Sequence, residues 1–280
     1  MRMIDVSEIT EVLARIAAES CFVLGRPEMD SLRAAGRRER SALGREILGE
    51  LLENAEVARE ERRPLCQDTG TAVVFLDIGQ DVRLVGGDIR EAVDRGVARA
   101  YRENSLRASV LSDPFLRENS GDNTPAILHV SIVPGERVRL LFAAKGGGAE
   151  NMSRLAMLSP ADGEGGVVEF VLGTVREAGG RPCPPLVIGV GVGGNFETVA
   201  LLAKRALLRP LGEPNPEKRL ARIEEEILAR VNATGIGPQG LGGSATALAV
   251  HLDVAPCHIA SLPAAVNLDC HSHRHAEAIL

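Results

Sequence analysis

The chain has 280 residues, a formal net charge of −6 at pH 7, and 45% hydrophobic, 25% charged and 2% aromatic residues. This composition is typical of a globular protein long enough to bury a core. The acidic surplus and the scarcity of aromatic residues argue against a nucleic-acid partner. No apolar stretch of about 18 residues occurs, so we expect no membrane span. The acidic N-terminus lacks the apolar run of a signal peptide, and we expect a cytoplasmic protein.

The first sixty residues predict a helical N-terminal layer. Asp5 is a suitable N-cap with Glu8 three residues on, which predicts a helix over residues 5–19. The apolar residues that share one face of this helix are Ile9, Val12, Leu13 and Ile16. Residues 28–61 are rich in Leu, Glu, Arg and Ala and predict one or two further helices.

Strand and helix patterns alternate along the rest of the chain. Strands are predicted at 71–79, 127–134, 137–144 and 185–194, and helices at 88–103, 166–178, 196–208 and 216–231. The dipeptide Gly135-Glu136 predicts a hairpin between the second and third of these strands. A Pro-rich surface connection is expected at 209–218, and the last fifty residues read as short strands broken by Gly and Pro. We therefore expect an α+β fold of mixed helices and small β-sheets, with residues 1–280 forming a single large domain.

One glycine pattern suggests a nucleotide site. Gly189, Gly191 and Gly194 fit G-x-G-x-x-G between a predicted strand and a predicted helix. A dinucleotide fold would need a second strand ending in an acidic residue about 20 residues later. The Pro-rich segment 209–218 lies there instead. A nucleotide-binding oxidoreductase is therefore disfavoured, and measurable NAD binding would revive it.

Five cysteines are scattered widely through the chain: Cys21, Cys66, Cys183, Cys257 and Cys270. Their odd number and wide spacing do not resemble a disulfide framework. Cys66 is followed by Gln67 and Asp68, which favour a site over the usual buried cysteine. Cys183 lies among prolines, which indicates a rigid turn or a thiolate aimed at a metal. Spacing alone does not decide whether these thiols meet.

Seven segments, in this order, resemble the α-type catalytic domain of class I fumarases and tartrate dehydratases. They are CQDTGT (66–71), the LR of ENSLRASVL (103–111), GDNTPA (121–126), KGGGAEN (145–151), CPPLVIGVGVGGNFE (183–197), GIGPQGLGG (235–243) and HIASLPAAVN (258–267). Taken by itself, the KGGG segment indicates either an anion-binding nest or a flexible turn. The whole set covers nearly the entire chain and is highly specific.

The resemblance implies a [4Fe-4S] cluster with one iron not ligated by protein. Its three cysteine ligands correspond to Cys66, Cys183 and Cys270. An iron without a thiolate can act as a Lewis acid on a substrate hydroxyl. Cys21 and Cys257 match no ligand position, and we expect both to be packing residues.

The resemblance also implies a substrate site. Gln67 and Asp68 would contact substrate, with Asp68 a candidate for proton transfer. Arg107 would clamp a substrate carboxylate, and Gly147 would offer a backbone N–H to another carboxylate oxygen. His258 would hydrogen-bond the substrate, and these roles make Gln67, Asp68 and His258 the catalytic candidates. Without the resemblance, His258 would be interpreted as a satisfied core histidine.

The implied activity is that of a hydro-lyase acting on a small dicarboxylate. Hydration of fumarate to (S)-malate is the preferred prediction, dehydration of tartrate to oxaloacetate is the close alternative, and mesaconate is a possible side substrate. A non-catalytic iron–sulfur subunit is a further alternative. In single-chain relatives a β-type domain follows, whereas this sequence stops ten residues after Cys270. We therefore expect a separate β subunit as partner.

Overall fold

The structure, a computed structural model, describes residues 2–280. Its helices are α1 (Val6–Phe22), α2 (Arg26–Arg38), α3 (Ala42–Glu61), α4 (Ile89–Glu103), α5 (Gly147–Glu150), α6 (Gly163–Ala178), α7 (Thr198–Leu207) and α8 (Lys218–Asn232), with 3₁₀ turns at Pro160–Asp162 and Pro238–Gly240. Its strands are β1 (Arg2–Asp5), β2 (Thr71–Gly79), β3 (Val82–Val85), β4 (Ile127–Val133), β5 (Val138–Lys145), β6 (Arg154–Leu158), β7 (Leu186–Gly194), β8 (Ala247–Cys257), β9 (Leu262–Asp269) and β10 (His275–Ile279). The α+β fold class and the predicted helices and strands are confirmed.

The chain forms two compact units. The first comprises the residues through Gly25 together with Ala55–Gly147 and Arg274–Leu280, and the second comprises Arg26–Asn54 and Gly148–His273. The single domain without an internal boundary stays a prediction, and each unit is described by itself. None of the helices among residues 2–280 is long and apolar enough to cross a membrane.

The first unit packs α1 and α4 against a sheet with the strand order β10-β5-β2-β4. The predicted capping box begins α1: Asp5 accepts the Ser7 N–H at 2.9 Å, and Glu8 accepts the Asp5 N–H at 3.2 Å. The predicted hairpin between β4 and β5 is wrong, because β2 lies between them, parallel to β4 and antiparallel to β5. Almost every residue of β2 is buried, and a buried strand needs hydrogen-bond partners on both edges.

The second unit contains a sheet with the order β6-β9-β7-β8. Helix α7 packs directly on β7, because a Cβ on Gly189 would lie 2.2 Å from the Ala203 carbonyl oxygen, and one on Gly191 would lie 2.6 Å from that of Val199. These two glycines of the G-x-G-x-x-G pattern therefore serve close helix–strand packing. They lie inside a strand and form no phosphate loop.

The strand directions of this sheet decide which loops are neighbours. β7 runs antiparallel to β9, with Val187 opposite Asp269, and parallel to β8, with Leu186 opposite Ala247. The segments before β7, before β8 and after β9 therefore share one end of the sheet. The connection from β8 to β9 lies at the other end.

Candidate functional site

In the first unit, three of the sequence motifs are joined by buried polar side chains. The Thr69 hydroxyl donates to the Arg107 carbonyl oxygen at 2.9 Å. The Asn123 side chain donates to the Gly70 carbonyl at 3.1 Å and accepts the Ser109 N–H at 2.7 Å. Thr69 and Asn123 are both essentially inaccessible to solvent. The structure therefore brings together CQDTGT, the loop that carries Arg107, and GDNTPA.

The Asp68 carboxylate connects this group to the fourth motif of the unit, KGGG. Its Oδ1 accepts the Gly70 N–H at 3.0 Å and its Oδ2 accepts the Gly147 N–H at 2.8 Å. The Asp68 N–H in turn donates to the Cys66 Sγ at 3.4 Å. The Gly147 N–H that we expect to bind substrate thus holds Asp68 in this structure. Its contact with a substrate stays a prediction.

The predicted substrate residues of the first unit are accessible. Gln67 and Arg107 are exposed, and Asp68 is half-buried. The exposed side chains of Gln67 and Arg107 can reach a ligand without displacing core atoms. A surface that binds a carboxylate requires such access. Their roles toward substrate remain predictions.

Three buried polar residues of the same unit were not assigned roles from the sequence. The Tyr101 hydroxyl donates to the Thr69 carbonyl at 2.7 Å, and burial raises the pKa of this phenol, so it keeps its proton. Lys145 and Arg274 are buried cations of the same unit. A Cβ added to Gly146 would lie 3.2 Å from Asp68 Oδ2 and 3.7 Å from Arg274 Nη2, so both groups flank this glycine. The position of Arg274 in a His-rich segment offered no sequence signal.

In the second unit, the structure brings Cys183 and Cys270 to the same end of the sheet. Cys183 precedes β7 and Cys270 follows β9. His271 ties the two segments, because its N–H donates to the Cys183 carbonyl at 3.4 Å and its Nδ1 lies 3.1 Å from the same oxygen. The Cys270 Sγ lies 2.9 Å from the Ser272 hydroxyl. Cys66 belongs to the first unit, so the set of three ligands stays a prediction.

His258 lies at the opposite end of this sheet. It follows β8, is exposed, and accepts the Ala260 N–H on Nδ1 at 3.1 Å. The interpretation as a satisfied core histidine is therefore wrong. The eight residues of β9 separate it from Cys270, which corresponds to roughly 26 Å of strand.

The two remaining cysteines differ from each other. Cys21 is fully buried in the core of the first unit, and burial raises the pKa of its thiol, so its packing role is confirmed. Cys257 is exposed, and its Sγ lies 3.3 Å from the Ser261 carbonyl. The packing role expected of Cys257 is wrong, because β8 reaches the surface at its last residues.

The chemistry of the predicted donor set suits an iron–sulfur cluster. Cys66, Cys183 and Cys270 all lie outside the helices and strands. The first two are exposed and the third is half-buried. Cysteine thiolates are the usual ligands of these clusters. Three cysteines would leave one iron of a four-iron cluster without a protein ligand.

Comparisons with known proteins find similar chains. The sequence profile described as fumarate hydratase (Fumerase) matches residues 10–279. A protein of Methanocaldococcus jannaschii with the provisional name L(+)-tartrate dehydratase subunit alpha is 39% identical over 275 residues, which are 96% of each chain. The L(+)-tartrate dehydratase subunit alpha of Escherichia coli K12 is 30% identical over 273 residues, 96% of this chain and 89% of that one.

Proposed function

Because the chain belongs to the fumarate hydratase (Fumerase) family, we propose that it is the α subunit of a [4Fe-4S]-dependent hydro-lyase of small dicarboxylates. The observation that carries this proposal is the hydrogen-bonded group of motifs around Asp68. It places a half-buried carboxylate and an exposed guanidinium on adjoining loops. In this proposal the guanidinium binds one carboxylate of the substrate and the Asp68 carboxylate exchanges a proton with it.

Hydration of fumarate to (S)-malate is the first candidate reaction, in line with the description of the family. Dehydration of L(+)-tartrate to oxaloacetate is the second candidate, and the names of the relatives at 39% and 30% identity favour it somewhat over fumarate. Both reactions break or form one C–O bond and one C–H bond on adjacent carbons. The same protein groups therefore serve either substrate.

Each residue has a defined part in this proposal. Arg107 binds one substrate carboxylate through its planar guanidinium. Gln67 orients the substrate. Asp68, which is held by two backbone N–H groups, takes or returns the proton on the carbon adjacent to the one that carries the hydroxyl. Cys66, Cys183 and Cys270 would hold the cluster. When bound, the cluster supplies a Lewis acid that polarises the C–O bond.

A separate β subunit completes the enzyme in this proposal. The relatives are named as alpha subunits, and the match covers 96% of this chain and 89–96% of theirs. Further carboxylate-binding groups and the remaining acid–base chemistry are then expected on the β chain. Cysteine thiolates that bind iron must stay reduced, which supports the cytoplasm as the location.

Anaerobic reconstitution of cysteine variants tests the cluster ligands. We expect Cys66→Ser, Cys183→Ser and Cys270→Ser to abolish stable cluster assembly, because serine supplies no thiolate to iron. Cys21→Ser and Cys257→Ser are the matched controls and should load normally. Iron and sulfide per chain, together with the visible absorbance, are the measurements. Full loading of Cys183→Ser would remove it from the ligand set.

Activity assays test the substrate and the catalytic role. The α chain co-expressed with its β subunit is assayed anaerobically on fumarate, malate and both tartrate enantiomers. The ratio of kcat/KM values for fumarate and L(+)-tartrate decides between the two candidates. A substrate-induced change in the spectrum of the cluster is expected from a catalytic cluster. A spectrum that no dicarboxylate alters would instead favour the non-catalytic iron–sulfur subunit.

A further inference from the structure

The loop GIGPQGLGG (235–243) contacts the segment that carries Cys183. Gln239 makes this contact twice, because its backbone N–H and its side-chain Nε2 donate to the Pro184 carbonyl oxygen at 2.8 and 2.9 Å. Pro184 is the next residue after Cys183. One carbonyl beside a predicted ligand is thus held by two donors from a single residue 55 positions away.

The same side chain reaches the segment that carries Cys270. Gln239 Nε2 lies 3.3 Å from His271 Nδ1, and this Nδ1 also lies 3.1 Å from the Cys183 carbonyl. A proton on His271 Nε2 leaves Nδ1 to accept from Gln239, whereas a proton on Nδ1 is donated to the carbonyl. Either tautomer joins the segment of Cys270 to that of Cys183. The backbone N–H of His271 adds a link that does not depend on the tautomer.

The backbone at these positions is strained. Cys183 has φ +57° and Gln239 has φ +52°, values in the left-handed region that non-glycine residues rarely adopt. Such conformations persist only where the surrounding structure holds them, and they concentrate at functional sites. The loop is also packed closely, since a Cβ on Gly240 would lie 2.5 Å from the Gly180 Cα in the turn before Cys183.

We propose that Gln239 and His271 are positioning residues, which hold Cys183 and Cys270 in a fixed relation. They act through the backbone of the two cysteine segments and not by contact with the substrate. This inference rests on the proposed function, in which Cys183 and Cys270 are cluster ligands. Hydrogen-bonded partners of metal ligands orient those ligands, and their loss typically weakens metal binding about 10- to 100-fold.

The test uses the cluster-loaded α chain with its β subunit under anaerobic conditions. Gln239→Ala removes both side-chain bonds, and Gln239→Glu keeps the shape but loses the donors. We expect both variants to release iron to a chelator about 10- to 100-fold faster than the unaltered protein. We also expect an altered electron paramagnetic resonance spectrum of the reduced cluster. Leu241→Ala is the matched control, because Leu241 lies in the same loop with 61% of its surface exposed.

His271 provides an independent pair of variants should Gln239→Ala fail to fold. His271→Ala should release iron as fast as the Gln239 variants, and His271→Asn should restore slow release because its amide can donate to the Cys183 carbonyl. Release at the unaltered rate in Gln239→Glu and His271→Ala would overturn the inference. A lowered melting temperature of the cluster-free chain with unaltered release and spectrum would overturn it too, since the role would be structural only.

The inference and the proposed function fail in different ways. If Cys183→Ser does not load while Gln239→Glu and His271→Ala release iron at the unaltered rate, the ligand assignment stands and only the positioning role falls. If Cys183→Ser loads fully, the proposed ligand set falls first.

Discussion

Thr69 illustrates how one buried side chain organises an exposed site. Its hydroxyl binds the backbone of Arg107 and its carbonyl accepts the Tyr101 hydroxyl, so the loop is fixed through its main chain. These bonds hold the loop of Arg107 through its backbone carbonyl and do not involve its guanidinium, which is exposed. Truncation of this side chain should leave the loop in place.

Arg107→Ala is expected to weaken substrate binding with the cluster intact. A hydrogen bond to a charged partner contributes about 1.5–3 kcal/mol, so KM should rise about ten- to a hundred-fold. Arg107→Lys should recover only part of this loss, because an ammonium cannot bind a carboxylate in the bidentate way. Steady-state kinetics and iron content are the measurements.

Arg90→Ala is the control for this experiment, since it removes the same charge from an exposed position of α4 in the same unit. Its kinetics should be close to those of the unaltered protein. Unchanged kinetics in Arg107→Ala would remove Arg107 from the substrate site.

Short-range signals account for the elements that were predicted well. The N-cap and capping box of α1 involve only Asp5, Ser7 and Glu8 and can be recognised within four residues. The hairpin that was wrongly predicted depends instead on long-range pairing. Gly135 permits the chain to turn, but the pairing of β4 and β5 with β2 depends on residues more than fifty positions earlier in the chain. A local sequence pattern therefore predicts that a segment forms a strand more reliably than it predicts which strand pairs with it.

Helix α2 is anchored by a contact that the sequence did not suggest. Glu39, directly after α2, is 3% exposed and accepts the N–H groups of Ser41, Ser244 and Ala245 at 2.7–2.9 Å. Burial alone would raise the pKa of this carboxyl, but the N–H donors together hold the pKa below its usual value. In the charged helical layer that the sequence predicts, the buried acid Glu39 thus ties the layer to the segment before β8.

Glu39→Gln should lower the free energy of unfolding by about 1.5–3 kcal/mol at pH 7, because one carboxylate oxygen is replaced by a donor that faces other donors. Because the pKa of Glu39 is lowered in the folded state, its ionised carboxylate stabilises the fold fully at pH values above its ordinary pKa of 4.5. This stabilisation is lost as the pH falls through the lowered pKa of the folded state. The difference between the two proteins should therefore shrink below pH 4.5. Denaturant unfolding of both proteins at several pH values measures this difference in the free energy of unfolding.

Glu46→Gln, at an exposed position of α3, should unfold like the unaltered protein at every pH. A difference for Glu39→Gln that is the same at acid and neutral pH would contradict the ionised role of Glu39.

At the scale of the whole molecule, the site could be predicted only in part. The resemblance identified the motif segments, and the structure shows how polar residues such as Asn123 and Gln239 join them. These contacts link residues 53 and 55 positions apart, so no local pattern could reveal them. Cys257 shows the same limit, because its exposure depends on where β8 ends relative to the rest of its sheet.

The position of His258 has a consequence for the assembled enzyme. Roughly 26 Å of β9 separates His258 from Cys270 within one rigid sheet, and a small dicarboxylate is far shorter than that distance. A role for His258 at a site that includes Cys270 would therefore require a second copy of the chain. The exposure of His258 and its turn is compatible with such a contribution.

Mixing of inactive variants tests this arrangement. Cys183→Ser and His258→Ala, each combined with the β subunit, should be inactive alone, the first for lack of cluster and the second for lack of the imidazole. Co-expressed, they should recover part of the activity, because a cluster-bearing copy can receive His258 from the other chain. The pair Cys183→Ser and Cys270→Ser is the control and should stay inactive, since every site then lacks a ligand. An inactive mixture of the first pair, with mixed assemblies verified by mass spectrometry, would contradict a role for His258 across copies.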